Sequence, residues 1–224
     1  MGAGLEGRRP LIMAVTGRRE RSPADVDVVV AQIEAVAAAG VDLVQIREPG
    51  LPDRHLYEVV ARSVPRLDGG STRIVVNDRL DIALAIGGVG VHLRSRSAPG
   101  AEVRRWLGPA MPLGRSVHSL AEARAAAAGG GLDYLVWGTV FPSASKPGRP
   151  ACGPEAIGRA RDEISLPILA IGGLTVDNSR EVFREGAAGV AAIGLFGGVQ
   201  EPARLSRVVS ELRQRYVESH VQRG

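Results

Sequence analysis

The chain has 224 residues, 45% of them hydrophobic and only 4% aromatic, so it can bury a sizeable core built mainly from Val, Leu, Ile and Ala. No apolar run approaches the roughly 18 residues of a membrane span, and the first ten residues lack the apolar stretch of a signal peptide. A net charge of +4 comes with dispersed arginines rather than basic runs interleaved with aromatics, which argues against nucleic acid, and a single cysteine, Cys152, suits a reducing cytoplasm.

In chain order the sequence repeats one unit: a short apolar run, a loop, a helical stretch and a glycine. Leu11–Thr16 reads as the first strand, and Pro23 opens a helix from Asp25 to Ala39. Strand Leu43–Ile46 is followed by a helix over Pro52–Leu67, strand Ile74–Val76 by Arg79–Ile86, and strand Val89–Leu93 by Ala101–Leu107. A fifth strand begins at Leu113 and runs through GRSVHS into helix Leu120–Ala128. Strand Tyr134–Trp137 leads into a long Pro/Ser/Gly loop, Gly138 to Gly153, and a helix ending near Glu163. Strand Ile168–Ile171 precedes helix Val176–Glu185, and strand Gly189–Ile193 precedes the closing helix Pro202–Tyr216, after which residues 217–224 read as a polar tail.

Eight strand–helix units in one chain predict parallel strands joined by right-handed crossovers, closed into a single-domain (β/α)8 TIM barrel; a doubly wound open sheet is the rival. Such barrels carry their chemistry at the C-terminal ends of the strands. That rule gathers Arg47, Asn77, Asp78, His92, His118, Gly172-Gly173 and Ile193-Gly194 at one mouth. Alternation along strand two sends Gln45 and Arg47 to the face opposite Val44 and Ile46, and along strand five puts Gly114, Ser116 and His118 together.

Each candidate has a chemical reason. The glycines closing strands seven and eight, AIGG and AAIG, let backbone N–H groups approach an oxyanion, with a short helix after strand eight expected to add its positive end. Arg47 is a costly charge to leave without an anion, so it pairs with a protein carboxylate such as Glu48 or holds a substrate carboxylate or phosphate. His92, inside strand four, suits a hydrogen-bonded barrel-filling role. His118, ending its strand at the mouth, suits proton transfer, because imidazole is the side chain that ordinarily titrates near neutral pH. Of 28 basic residues only one is lysine, Lys146, in the loop after strand six. No zinc-type ligand spacing, GxSxG elbow or Walker loop appears.

VQIRE (44–48), NDR (77–79), GVHL (90–93), VFPSASKPG (140–148) and AIGGLT (170–175) together resemble the thiamine phosphate synthase superfamily of barrels. The resemblance spans the first strand to the last and implies a homodimer acting on a small-molecule phosphate. It covers two branches. The synthase joins a hydroxymethylpyrimidine pyrophosphate to a thiazole phosphate with Mg²⁺, and its pattern has a lysine after the strand-two RE and a second aspartate after GVHL. Here Pro49 and the run Arg94–Ser97 (RSRS) stand at those places, leaving Asp78 as the one matching ligand. The TenI-like branch carries GRSVHS, intact here from Gly114 to Ser119, and implies a metal-independent thiazole tautomerase with His118 as the proton carrier. Under that reading Gly172, Gly173, Ile193 and Gly194 hold the phosphate of a thiazole carboxylate phosphate. Arg47 binds its carboxylate with Gln45 or Asn77, Ser116 lines the site, Lys146 reaches in from its loop, and no cofactor is needed. A non-catalytic regulatory or ligand-binding barrel is the third alternative.

Overall fold

A computed structural model describes residues 9–17, 22–143, 148, 150–197 and 201–221. Eight parallel strands close in sequence order into a barrel: β1 (Leu11–Val15), β2 (Leu43–Ile46), β3 (Arg73–Asn77), β4 (Gly90–Leu93), β5 (Leu113–Val117), β6 (Tyr134–Gly138), β7 (Ile168–Ile171) and β8 (Gly189–Ala192). The helices between and after them are α1 (Val26–Ala38), α2 (Asp53–Ser63), α3 (Leu80–Ile86), α4 (Gly100–Leu107), α5 (Leu120–Ala128), α6 (Glu155–Arg161), α7 (Ser179–Arg184) and α8 (Pro202–Val221). The open-sheet rival is thereby excluded. None of the described helices is long and apolar enough to cross a membrane.

The strands are almost wholly apolar because both faces are covered. On β1, Ile12 and Ala14 face the helices and join one continuous cluster with Val29, Ile33 and Val59, while Leu11, Met13 and Val15 face inward. The interior is filled by these three with Leu43, Val75, Tyr134, Val136, Leu169 and Ala191, a packed core and not a pore. Alternation therefore delivers Gln45 on β2 and Asn77 on β3 to the inner face above Leu43 and Val75, as their positions in the sequence predict.

Two matching clamps hold the end of the barrel remote from the mouth. Asp42, just before β2, accepts the Ile12 N–H of β1 at 2.9 Å and pairs with Arg9 at 3.1 Å. Asp133, just before β6, accepts the Leu113 N–H of β5 at 2.8 Å and pairs with Arg104 at 2.6 Å. The Arg104 guanidinium also donates to the carbonyls of Gly108, Met111 and Gly131, so one half-buried arginine ties the α4–β5 turn to the α5–β6 turn.

Most element ends move by one to three residues from the sequence reading, as at α7, which starts at Ser179 and not Val176; two differ in kind. The helix expected over Pro52–Leu67 stops at Ser63 and continues as a 3₁₀ turn, Val64–Arg66, since Pro65 has no N–H for the α ladder. The expected polar tail is instead helical to Val221. Ser219 is buried against α7, its hydroxyl donating to the Arg215 carbonyl at 2.7 Å, so α8 spans five residues more than predicted.

Candidate active site

The mouth is assembled from strand ends. On β2, Gln45 is buried and its Nε2 donates to Asn77 Oδ1 of β3 at 3.0 Å, which fixes both amides on the inner face. Arg47 follows β2, exposed at the rim, with its backbone N–H on Thr16 Oγ1 at 3.0 Å. No carboxylate among the described residues lies within salt-bridge distance of its guanidinium, and Glu48 is buried instead of exposed beside it. The expected pairing of Arg47 with Glu48 is therefore not found among the described residues.

Asp78, one residue past β3, has a left-handed backbone (φ 59°) that turns its carboxylate toward the β4–α4 loop. There Oδ2 accepts from Arg94 Nε at 2.6 Å, and Oδ1 accepts from the Ser97 hydroxyl. The loop carrying both partners is itself clamped from β5. The Arg115 side chain, 7% exposed, donates to the carbonyls of Arg94 and Ser95 at 3.1 Å, of Ser97 at 3.3 Å, and of Ala98. Burial works against the charge on this guanidinium and pulls its pKa down. Arg115 was not singled out by the sequence, where it reads as an outward strand residue; an arginine in an apolar strand was the available signal. The RSRS run is thus a fixed ledge over Asp78.

A hard dication needs several anionic oxygens. Here the one carboxylate is engaged on both oxygens, one of them by a guanidinium, and no group of three His, Cys, Asp or Glu side chains among the described residues could hold a metal ion. The residues present do not fit Mg²⁺.

His92 lies below the mouth, within the barrel. It is 1% exposed, with Nδ1 3.2 Å from the Tyr134 hydroxyl and Nε2 2.9 Å from Ser116 Oγ. Gly114 makes this possible: a side chain there would fall inside the Tyr134 ring, which crosses β5 at that point to stack on the imidazole with centroids 5.7 Å apart. Burial, helped by the charge of Arg115 and opposed by Asp78, pushes the His92 pKa down to about 3. Folded His92 stays neutral where an unfolded histidine takes up a proton. Its contribution is therefore complete above about pH 6.5 and is lost as pH falls toward 3, at about 1.4 kcal/mol per pH unit. Urea unfolding at pH 7, 6 and 5 should show a steeper acid loss in wild type than in His92→Gln, by one proton's worth.

His118 stands just past β5, exposed at the rim. Its N–H donates to Glu122 Oε2 at 2.7 Å, and its Nδ1 is 2.5 Å from the Gly138 carbonyl of β6. A carbonyl only accepts, so Nδ1 carries the hydrogen and Nε2 of the neutral ring keeps its lone pair. Ser119 caps α5, accepting from the Glu122 N–H, which anchors the backbone next to the imidazole.

Gly172 and Gly173 close β7 with positive φ (104° and 61°). A Cβ on Gly172 would come within 2.6 Å of Thr139 Cγ2, and one on Gly173 within 2.8 Å of Phe141 Cβ, so the post-β6 loop lies flat on them. Thr139 follows Gly138, the residue that holds His118. One loop therefore brings the imidazole and the β7 glycines together. Ile193 packs on the barrel interior, Gly194 is exposed with open space beside it, and the expected short helix after β8 is a turn closed by Phe196 N–H on the Ile193 carbonyl at 3.2 Å. The short helix expected to follow β8 directly is therefore absent among the described residues, the chain making a single turn there. Lys146 lies outside the described residues.

Known proteins agree with this architecture. A family model described as thiamine monophosphate synthase matches residues 12–196. A bifunctional thiamine biosynthesis protein of Symbiobacterium thermophilum is 37% identical over 213 residues, covering 94% of this chain but 42% of that protein. A thiamine-phosphate synthase of Marinobacter nauticus is 34% identical over 214 residues, covering 95% and 93%. The structure of a thiamine phosphate pyrophosphorylase from Pyrococcus furiosus superposes with a TM-score of 0.75 at 29% identity, covering 93% and 96%.

Proposed function

The chain belongs to the thiamine monophosphate synthase family, and from that premise we propose that it is a thiazole tautomerase, a metal-independent isomerase acting on a dihydrothiazole carboxylate phosphate. The observation that carries this reading is the paired state of the mouth. Asp78, which a magnesium-dependent transfer would need, is engaged by Arg94 and Ser97, whereas His118 presents a free ring nitrogen.

In the proposed step Nε2 of His118 takes the proton from C2 of the dihydrothiazole. The released electron pair aromatises the ring by moving through it to the exocyclic carbon, which takes up a proton, so the change is redox-neutral and no group leaves. The Gly138 carbonyl accepts from Nδ1–H before and after the transfer, so the ring keeps its orientation through the step. Gly172-Gly173 and Ile193-Gly194 would cradle the phosphate with backbone N–H groups, and Arg47 would hold the carboxylate beside the Gln45–Asn77 pair.

A second reading is favoured by the names of the relatives: thiamine-phosphate synthase, joining a pyrimidine pyrophosphate to thiazole phosphate. One experiment separates the two. The freshly made dihydrothiazole is followed by NMR with and without EDTA, alongside an assay for pyrophosphate release from the two synthase substrates with Mg²⁺. Aromatisation at the same rate with the chelator is the expected result. Pyrophosphate release that stops with EDTA, without aromatisation, would replace the tautomerase by the synthase.

A further inference from the structure

The Tyr134–His92–Ser116 chain has a direction that donor and acceptor bookkeeping can fix. Tyr134 is fully buried, and burial pushes its phenol pKa up, so the hydroxyl keeps its hydrogen. Among the described residues the one acceptor within reach of that O–H is His92 Nδ1 at 3.2 Å. A neutral imidazole carries one hydrogen; with Nδ1 accepting, it must sit on Nε2. Nε2–H then donates to Ser116 Oγ at 2.9 Å. That uses an oxygen lone pair and leaves the Ser116 hydrogen with no acceptor among the described residues. Ser116, unlike its two partners, is partly exposed, two residues before His118 on the same inner face.

We propose that Ser116 is held as a hydrogen-bond donor to an acceptor atom of the bound substrate, with His92 and Tyr134 as the positioning residues that set its direction. The proposal rests on the reading of this mouth as a thiazole phosphate site, and it assigns Ser116 a polarity that the reading leaves open. Because neutral His92 has its hydrogen placed by a buried phenol, the donor keeps its orientation across the working pH range, with Arg115 and Asp78 the charged groups that bear on the imidazole. Gly114 belongs to the same device, since any side chain there would bar Tyr134 from reaching the ring.

The test has two arms. In ¹⁵N-histidine-labelled protein without substrate, NMR at pH 7 should show His92 as the Nε2–H tautomer, and Tyr134→Phe should shift it toward a mixture. An Nδ1–H tautomer in the wild type would overturn the proposal, whatever reaction the protein catalyses. In the second arm Ser116→Ala and Tyr134→Phe should each lower kcat/KM about tenfold, and the double variant should lose no more than Ser116→Ala alone, because Tyr134 acts through Ser116. Multiplied losses near a hundredfold would show that Tyr134 merely supports the fold. Should the turnover prove to be the synthase reaction, the same cycle is read there. In a protein with neither activity it is read on the affinity for thiazole carboxylate phosphate, so failure of the tautomerase reading and failure of this one remain distinct.

Discussion

His118→Asn should slow aromatisation of the dihydrothiazole by 10²- to 10⁴-fold, roughly 3–5 kcal/mol of barrier, the span that a positioned acid–base group contributes. Asparagine can place its amide N–H on the Gly138 carbonyl, as the imidazole places Nδ1–H, so the local packing survives. What it lacks is the second nitrogen, the only part of the side chain assigned to chemistry. His118 is exposed, and its neighbours, the Ser119 cap and the Glu122 carboxylate on the His118 N–H, act through backbone groups that the substitution leaves in place. Unfolding by urea should therefore be almost unchanged while kcat falls and KM moves little. Turnover within a few fold of wild type would remove His118 from its role and turn attention to Lys146.

The order of elements was legible because each unit is punctuated the same way, with glycine after a helix and an apolar run before the next loop. The inner face of β2 was legible too: Gln45 alternates with Val44 and Ile46, and a polar residue among apolar ones has one place to go in a closed barrel. His92 as a filler and His118 at the rim followed from their positions one residue before and one residue after a strand's end. What the sequence hid were pairings between segments distant in the chain. Gly114 reads as a small residue lining a face, and only the β5–β6 register shows that it is the slot for Tyr134. The length of α8 was hidden less deeply. Leu205, Val209, Leu212, Tyr216 and Ser219 keep a three- and four-residue spacing past the predicted end, but serine did not read as a buried position. Arg47 shows the limit of charge arguments, because an arginine beside a glutamate suggests a pair that the strand's geometry turns apart.

Arg115→Met should cost about 2–4 kcal/mol of stability and loosen the ledge over Asp78. Hydrogen bonds to a charged group are worth about 1.5–3 kcal/mol each, but these four do not sum, since removing the guanidinium also relieves the cost of burying a cation. The carbonyls of Ser95, Ser97 and Ala98 lie near enough to the surface to regain water once the loop opens, which caps the loss further. For a chain of this size the melting temperature should fall by roughly 5–15 °C. Arg115→Lys should recover little of it, because a single ammonium cannot reach carbonyls spread from residue 94 to residue 98 as the planar fork does. The ion pair above responds in turn. Arg94 and Ser97 reach Asp78 from a loop whose backbone Arg115 fixes, so freeing that backbone releases the carboxylate. Amide hydrogen exchange in residues 94–98 should rise sharply in Arg115→Met, with exchange in the β1 and β7 cores rising only as far as global stability falls. Protection of the loop equal to wild type would mean that Asp78, not Arg115, holds it.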